Sequence, residues 1–454
     1  MPSRLRLVAF RPRPLLVTSI IMQSVFIFFI CLPVVIVNSL FCFWNSGCPY
    51  RHFSTKTPYN LVRGDIRDSV IKVKGCTAVS IWSLYRHGKR YPNKHSAHLM
   101  ENAVAIRNHI ADSFENGKCS LCAQDVDNVI NWKVDHRLFK GITELTDEGY
   151  REMYSIANRL KATFPDLLTN LKENEFTFRP TADDRMEESA QAFVDGIGER
   201  LSIEQLKVND SITPYTSCGK YGSEVKDNPK TFEESSKYQK SSEYLAMKDR
   251  IQRRAGLDIK LTDDNVTALY DLCRYTWSGI DSIASPWCAV FTSEDLQVLE
   301  YVEDLNQYYK SGYGSPMNEL LGHIILADLL KSFQQVKNGN GKRITAYFSE
   351  STTIDMTLSA LGLFKDKDVL RGSQRNRDRK WRSFKQSSFS ANIMAVLSRC
   401  YLNGNEDYTV VFYLNEEPIK SICLEGICPW KEFEDKFKPF LDTNIDFCEF
   451  NAIR

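Results

Sequence analysis

An excess of charge of either sign is missing from this chain. Its 58 lysines and arginines against 57 aspartates and glutamates leave a net +1 over 454 residues, which excludes a dedicated nucleic-acid binder, since such a surface needs a clear basic excess. Any positive field has to be local. There is no glycine-rich phosphate loop of the Walker type, which excludes that route to nucleotide hydrolysis, and no internal repeat, which excludes a repeat array. Histidine is scarce, with seven in all and none beyond His323. His95 and His98 lie close together but lack carboxylates at ligand spacing, so no metal site and no cofactor are expected.

What is present begins with an apolar segment. Residues 15–44 are almost wholly apolar and follow Arg4, Arg6, Arg11 and Arg13. The stretch exceeds the roughly 7–15 residue core of a cleavable signal peptide and is long enough to span a bilayer, and its positive flank predicts a cytoplasmic N-terminus. The expectation is an uncleaved signal-anchor over 1–44 that contacts the membrane, with everything after it lumenal or extracellular; a cleaved signal peptide and a secreted protein are the alternative. Asn209 and Asn265 head glycosylation acceptor triplets, which fits that compartment. Beyond the segment, 454 − 44 = 410 residues remain, more than one core usually holds, so two subdomains are expected. Runs at 79–85, 176–178, 343–348 and 408–414 read as strands between helical stretches. They predict an α/β core over about 50–200 and 311–454, interrupted by a polar, mainly helical cap over about 200–310.

The densest chemistry lies in Arg86-His87-Gly88-Lys89-Arg90-Tyr91-Pro92, directly after the apolar run 76–85. That run reads as a buried strand whose C-terminal edge delivers polar groups, the edge at which open α/β sheets bind ligands. A neutral imidazole nitrogen can attack phosphorus when the phosphoryl oxygens are neutralised. Guanidiniums do so with planar forks that match phosphate oxygens. Gly88 lets the backbone turn close to the anion, and Pro92 fixes the exit of the turn. Lys89, with Lys133, Arg137 and Lys140, is available to further phosphates of a polyphosphorylated ligand, against the simpler reading as solvated surface charge.

This heptad resembles the R-H-G-x-R-x-P signature of the histidine acid phosphatases, in which the histidine is the nucleophile and both arginines hold the phosphate. A further arginine in that family opens a helix of the form R-x-x-x-S-x-x-A-F. Arg185-Met186-Glu187-Glu188-Ser189-Ala190-Gln191-Ala192-Phe193 reproduces it, which makes Arg185 the third phosphate ligand by resemblance. The chain is most similar to the multiple inositol polyphosphate phosphatases of animals, insect members included, through Ser285-Pro286-Trp287-Cys288, Gly312-Tyr313-Gly314 and Arg379-Lys380-Trp381-Arg382-Ser383. The similarity runs from about residue 50 to the C-terminus. It implies a histidine-phosphatase-type α/β core with a mostly parallel central sheet flanked by helices, a smaller helical cap, and a small phosphorylated substrate such as an inositol polyphosphate or 2,3-bisphosphoglycerate. It also implies a disulfide between Cys273 and Cys288. Cys423 and Cys428 are expected to form another short bridge, and Cys119-Ser120-Leu121-Cys122, with no second ligand pair, reads as structural rather than as a zinc or redox site.

At one place the chain departs from the family. A second histidine followed by an acid, H-A-E in this branch, belongs after the strand at 343–348, where this chain has Ser349-Glu350-Ser351-Thr352. Glu350 takes the place of the histidine and Thr352 that of the acid. General-acid help to a leaving alkoxide is worth roughly 10²- to 10⁴-fold, so the substitution matters. Three readings stay open: Glu350 donates the proton, its carboxyl made a weaker acid by a nearby phosphate dianion; it stays ionised and repels substrate; or it caps the following helix. The expectation is a phosphomonoesterase acting on inositol polyphosphates, with His87 as nucleophile, Arg86, Arg90, Arg185 and Lys89 on substrate, and Glu350 as acid. The alternative is a catalytically weak pseudophosphatase that binds phosphorylated ligands.

Overall fold

The computed structural model describes residues 42–43, 50–204, 212–402 and 404–448. Its strands are β1 (Cys76–Arg86), β2 (Phe176–Pro180), β3 (Ile344–Ser349), β4 (Asn392–Leu402), β5 (Asn405–Leu414), β6 (Glu417–Pro418) and β7 (Ile427–Pro429). They form one sheet in the order β2-β3-β1-β4-β5-β6, with β7 on β5. β2, β3 and β1 run parallel, and β4 is antiparallel to both β1 and β5. The longer helices are α1 (Lys94–Ala103), α2 (Ile106–Glu115), α3 (Ala123–Ile130), α4 (Asp147–Thr163), α5 (Asp184–Ile197), α6 (Ser242–Ala255), α7 (Asp263–Tyr275), α8 (Ser293–Ser311), α9 (Pro316–Lys337), α10 (Ser351–Ala360) and α11 (Trp430–Phe437).

Alternation along β1 explains why its sequence is apolar on both faces. Ile81 and Tyr85 join Phe178, Phe193 and Phe348 under α4 and α5, whereas Trp82 and Leu84 face Leu326 and Leu329 of α9 on the other side. A strand in the middle of a sheet covered on both sides reads as a continuous hydrophobic run. Local signals set the helix starts: Thr146 accepts from the Gly149 N–H at 3.0 Å to open α4, and Asp183 accepts from the Arg185 N–H at 3.3 Å to open α5. Gly198, at φ +74°, ends α5 in the left-handed conformation that favours glycine.

A third hydrophobic cluster is helical, and it draws on two stretches. Met100, Ile110 and Val129 of α1–α3 pack with Met247, Leu269 and Leu305 of α6–α8. The helical layer therefore includes residues that the sequence pattern assigned to the core, in addition to the stretch expected at about 200–310. The N-terminal boundary is also corrected. Cys42 is disulfide-bonded to Cys122 and the Phe43 N–H donates to Asp125 Oδ2 at 2.7 Å, so both residues belong to the folded domain, not to a segment ending at 44. The rest of the expected signal-anchor, and Asn209, lie outside the described residues. Among those described, no helix is long and apolar enough to cross a membrane. Asn265 lies in the first turn of α7, where its Oδ1 accepts from Thr262 N at 3.1 Å in a capping box.

Four further disulfides join Cys76 to Cys400, Cys218 to Cys448, Cys273 to Cys288 and Cys423 to Cys428. Five bridges mean an oxidising compartment. Cys122 of the C-x-x-C pair is bonded to distant Cys42, and Cys119 forms no disulfide among the described residues.

The turn after β1 lies against the start of α4 with no room for side chains on the facing backbones. A Cβ on Gly149 would stand 2.1 Å from the Lys89 carbonyl oxygen, and one on Gly88 would stand 2.4 Å from the Gly149 oxygen. Gly149→Ala is expected to cost about 3 kcal/mol, the upper range for forced overpacking, read as a lower midpoint in chemical denaturation with an unchanged slope.

Candidate active site

Strand register brings three distant segments to one edge. Arg86 pairs with Ser349 and Pro180 with Phe348. His87, the turn leading to Arg185, and Glu350 therefore leave the parallel part of the sheet side by side. The His87 backbone is fixed on both sides: its N–H donates to the Ser349 carbonyl at 3.1 Å, and its carbonyl accepts from the Ser390 N–H at 3.0 Å. Ser390 sits at φ +56°, a strained conformation for a residue with a side chain. The Gly88 N–H donates to Ser189 Oγ at 3.1 Å, and that hydroxyl donates to the Arg185 carbonyl at 2.6 Å. The loop bearing the imidazole thus hangs from the helix bearing the third arginine.

His87 is only 3% exposed. Its Nδ1 lies 2.8 Å from the Gly88 carbonyl oxygen. A carbonyl can only accept, so Nδ1 carries the hydrogen and the lone pair is on Nε2. Burial, then the charges of Arg86, Arg90 and Arg185, hold the imidazole well below its ordinary 6.5. The ring is neutral and its Nε2 lone pair is free.

The arginines differ in how they are held. Arg86 is buried, its Nη1 donating to the carbonyls of Thr55 and, at 2.8 Å, Ser387, and its guanidinium lying 4.7 Å from the centre of the Phe389 ring. Burial and the Arg90 charge push it down to about 9, so it stays charged at neutral pH. Arg90 Nη1 donates to the Tyr91 carbonyl at 2.7 Å. The Nε atoms of Arg86, Arg90 and Arg185 are all buried without a hydrogen-bond partner. Such orphan donors call for an acceptor, and phosphate oxygens are of the right kind. Arg185, by contrast, is bracketed by carboxylates, with Nη1 on Asp183 at 2.5 Å and Nη2 on Glu350 Oε1 at 2.7 Å.

Glu350 is the N-cap residue of α10 but its side chain makes no capping bond; the side chain turns to Arg185 instead, which overturns the reading of a helix cap. Thr352 is buried at the family's acid position. A cavity of about 620 Å³ opens on this side, lined by Asp183, Met186, Tyr215, Lys310, Glu350 and Thr352 among others. Lys89 corrects a further expectation. Its ammonium is buried in an ion pair with Glu148 at 2.6 Å and also donates to the Trp277 carbonyl, so its charge is spent inside the protein and not on a ligand.

Sequence reasoning missed the supports of the site. Glu152 is buried and accepts from the Lys89 N–H at 3.1 Å, the Tyr59 N–H at 3.0 Å and Ser390 Oγ at 2.8 Å, tying three loops together. Burial and the neighbouring Glu148 weaken it as an acid. Asp355 of α10, bonded by Ser311 Oγ at 2.8 Å, is pushed up to about 7 by burial. Their partners lie far away in the chain, so no local pattern pointed to them.

A buried neutral imidazole among guanidiniums at the end of a β-strand defines a class: proteins that take a phosphoryl group on histidine. Residues 80–415 match the histidine phosphatase superfamily (branch 2), and the chain belongs to that family. It is 29% identical over 430 residues to multiple inositol polyphosphate phosphatase 1 of Drosophila melanogaster, covering 90% of each chain. To the Gallus gallus protein of the same name it is 26% identical, covering 81% of this chain and 85% of that one. Among solved structures it is similar to the phytase from D. castellii, with TM-score 0.67, 17% identity and coverage of 87% and 85%. A multiple inositol polyphosphate phosphatase from Bifidobacterium longum, in complex with inositol hexasulfate, has TM-score 0.54, 16% identity and coverage of 81% and 92%.

Two outcomes are expected. Ring-carbon NMR shifts of His87 remain those of neutral imidazole from about pH 7 to about pH 5, and a midpoint near the ordinary value contradicts the geometry. Because the folded value is depressed, the residue's contribution to stability is complete above the ordinary value and is lost as the pH falls below it. Glu350→Gln, which frees an arm of the Arg185 fork, tightens inhibition by inorganic phosphate about three- to tenfold, a modest effect because the carboxylate is partly exposed; unchanged inhibition rules out competition for that arginine.

Proposed function

We propose that the protein is a phosphomonoesterase that removes phosphate from inositol polyphosphates through a phosphohistidine at His87. The observation that carries the reading is the tautomer: Nδ1–H is held by the Gly88 carbonyl, and Nε2 keeps its lone pair in a pocket of three arginines. The names of the relatives support the substrate class. Nε2 forms a bond to phosphorus as the ester P–O bond breaks, and the leaving oxygen takes its electron pair and a proton. Arg86, Arg90 and Arg185 hold the phosphoryl oxygens throughout. Water then attacks phosphorus, the N–P bond breaks, and inorganic phosphate leaves.

Glu350 is the group placed to give the proton in the first step and take one from water in the second. A phosphate dianion drawn to Arg185 comes up against this carboxyl group, which shares that guanidinium. The Arg185 contact keeps this carboxyl beside one of the three guanidiniums, and Glu350 lines the adjoining cavity. We infer also that the apolar segment before residue 42 directs the domain into the secretory pathway, as an anchor or as a cleaved signal. The five disulfides support that destination.

The test separates nucleophile from acid. Rapid quench with radiolabelled substrate is expected to trap one phosphate on His87, and His87→Ala to abolish both adduct and turnover. Glu350→Gln is expected to lower kcat on inositol hexakisphosphate about 10²-fold but to change kcat on p-nitrophenyl phosphate, whose leaving group needs no proton, by far less. Equal losses on both substrates remove Glu350 as the acid. A wild-type protein that binds inositol hexakisphosphate without releasing phosphate establishes the non-catalytic binding reading in place of this one.

A further inference from the structure

Close enough to Arg86 for each to act on the other's charge stands an acid that the reaction steps leave idle. Asp355 of α10 has no exposed surface. Its Oδ2 lies 2.8 Å from Ser311 Oγ at the end of α8, and its Oδ1 is buried without a hydrogen-bond partner. The Ser387 hydroxyl is near it, bonded at 3.5 Å to the Ser383 carbonyl, and the Ser387 carbonyl is one of the two that hold Arg86. Asp355 therefore stands at the joint between α8, α10 and the segment that fixes Arg86.

Counting hydrogens decides the form in which this acid is held. Ser311 Oγ has three oxygens around it: Asp355 Oδ2, the Gln307 carbonyl at 3.1 Å and Gln307 Oε1 at 3.3 Å. A hydroxyl has one hydrogen to give. With Asp355 ionised, one carboxylate oxygen depends on that single hydrogen and the other has none, a costly state for a buried charge. With Asp355 protonated, its O–H donates to Ser311 Oγ, the serine donates on to Gln307, and the oxygen left over is an uncharged carbonyl. The arrangement suits the neutral acid. Burial pushes the same way, to about 7, against the Ser311 and Ser387 hydroxyls and the charges of Arg86 and Lys310. Facing Asp355 are thus Lys310 and Ser311 of α8, Arg86 at the end of β1, Ser387 and the Tyr221 phenol. Glu350 heads its own helix, and on the first turns of α9 Glu319 and His323 are bonded to Lys365 and Thr443.

The state of this carboxyl matters because Arg86 is hydrogen-bonded by carbonyls and has charge to spare for an anion. A second negative charge nearby would cancel part of it. We propose that Asp355 is a positioning residue held as a neutral acid: protonated, it joins α8 to the segment carrying the Ser387 carbonyl and leaves the charge of Arg86 to an incoming phosphate; ionised, it takes part of that charge and weakens anion binding. The proposal rests on the reading of the His87 pocket as a phosphate site. By linkage, an anion in the pocket draws a proton onto Asp355, so that protonation and binding support each other.

The experiment reads anion binding with sulfate, a phosphate mimic that stays a dianion throughout the range used. An acid with a raised value is neutral below it and charged above it, so affinity is lost as the pH rises. Calorimetry of the wild-type protein is expected to show sulfate binding weaken about tenfold from about pH 6 to about pH 8. Asp355→Asn, which keeps the shape and the donor of the neutral acid, is expected to bind as the wild type does at about pH 6 and to lose less than about threefold on the way to pH 8. Other carboxyls weakened by burial, Glu152 among them, are the same in both proteins, so the difference belongs to Asp355. Asp355→Leu, which removes the tether together with the charge, is expected to weaken binding by the same factor at both pH values. A fall of equal size in the wild type and the Asn variant overturns the proposal. So does a wild type with no fall, or a Leu variant that binds as well as the Asn variant. Should the variants not fold, infrared difference spectra of wild-type protein with carboxyl-labelled aspartate decide: sulfate added at about pH 7 is expected to increase the carbonyl band of a protonated carboxyl, and an unchanged band overturns the proposal. Wild-type protein that binds no sulfate at about pH 6 overturns the reading of the His87 pocket as well, which a missing pH dependence alone does not.

Discussion

Everything at this site depends on burying positive charge without neutralising it from within. A buried guanidinium is costly unless its hydrogen bonds are met, and the usual remedy is a carboxylate. A carboxylate at Arg86 would cancel the field that draws in a phosphate dianion. The fold meets the donors with neutral acceptors instead, the carbonyls of Thr55 and Ser387, and covers one face of the cation with the Phe389 ring. The Nη1 donor is satisfied, Nε is left without a partner among the described residues, and the charge survives. The depressed proton affinities of Arg86 and His87 are the visible result of that choice. They keep the imidazole a free base without any carboxylate to orient it.

The other buried arginines show what the alternative looks like. Arg159 is clamped by Glu416, Arg379 by Asp304 and Glu300, and Arg375 by Glu243 and Glu294. These pairs join segments far apart in the chain and leave nothing for a ligand. They carry the loops and helices that carry the site: Glu300 also binds Arg382 and Tyr50, and the Ser383 N–H donates to Asp304 at 2.9 Å. That network anchors both the arm before Thr55 and the segment before Ser387. Structural arginines paired with acids thus hold in place the two carbonyls on which the functional arginine depends.

This division explains which features could be read from the chain. The strand ending in Arg86-His87 and the helix beginning at Arg185 were legible because side-chain identity and spacing are themselves the signal. Residues 343–348 and 408–414 were legible as strands because their apolar runs are buried in the sheet. Backbone carbonyls are not legible, since any residue type supplies one, so Thr55 and Ser387 left no trace. Lys89 was misplaced for a related reason. Its position next to Gly88 suggested a ligand contact, whereas its partners, Glu148 and Trp277, lie 59 and 188 residues away and could not be paired with it by eye. The C-x-x-C stretch was read as structural, and Cys122 is in a disulfide, but its partner lies 80 residues before it and could not be named from the chain.

Arg185 stands between the two kinds of arginine, and that position follows from Glu350. A histidine after β3 would leave this guanidinium with Asp183 alone; a glutamate there adds a second carboxylate, so Arg185 is held on both arms. A dianion entering the pocket must share the fork with Glu350 or displace it, and either event places like charges within a few ångströms. The carboxylate that holds Arg185 therefore works against an anion at that fork, whereas Arg86, held by carbonyls, keeps its charge for one, and the imidazole of His87, held well below its ordinary value, stays a free base on the acidic side as well.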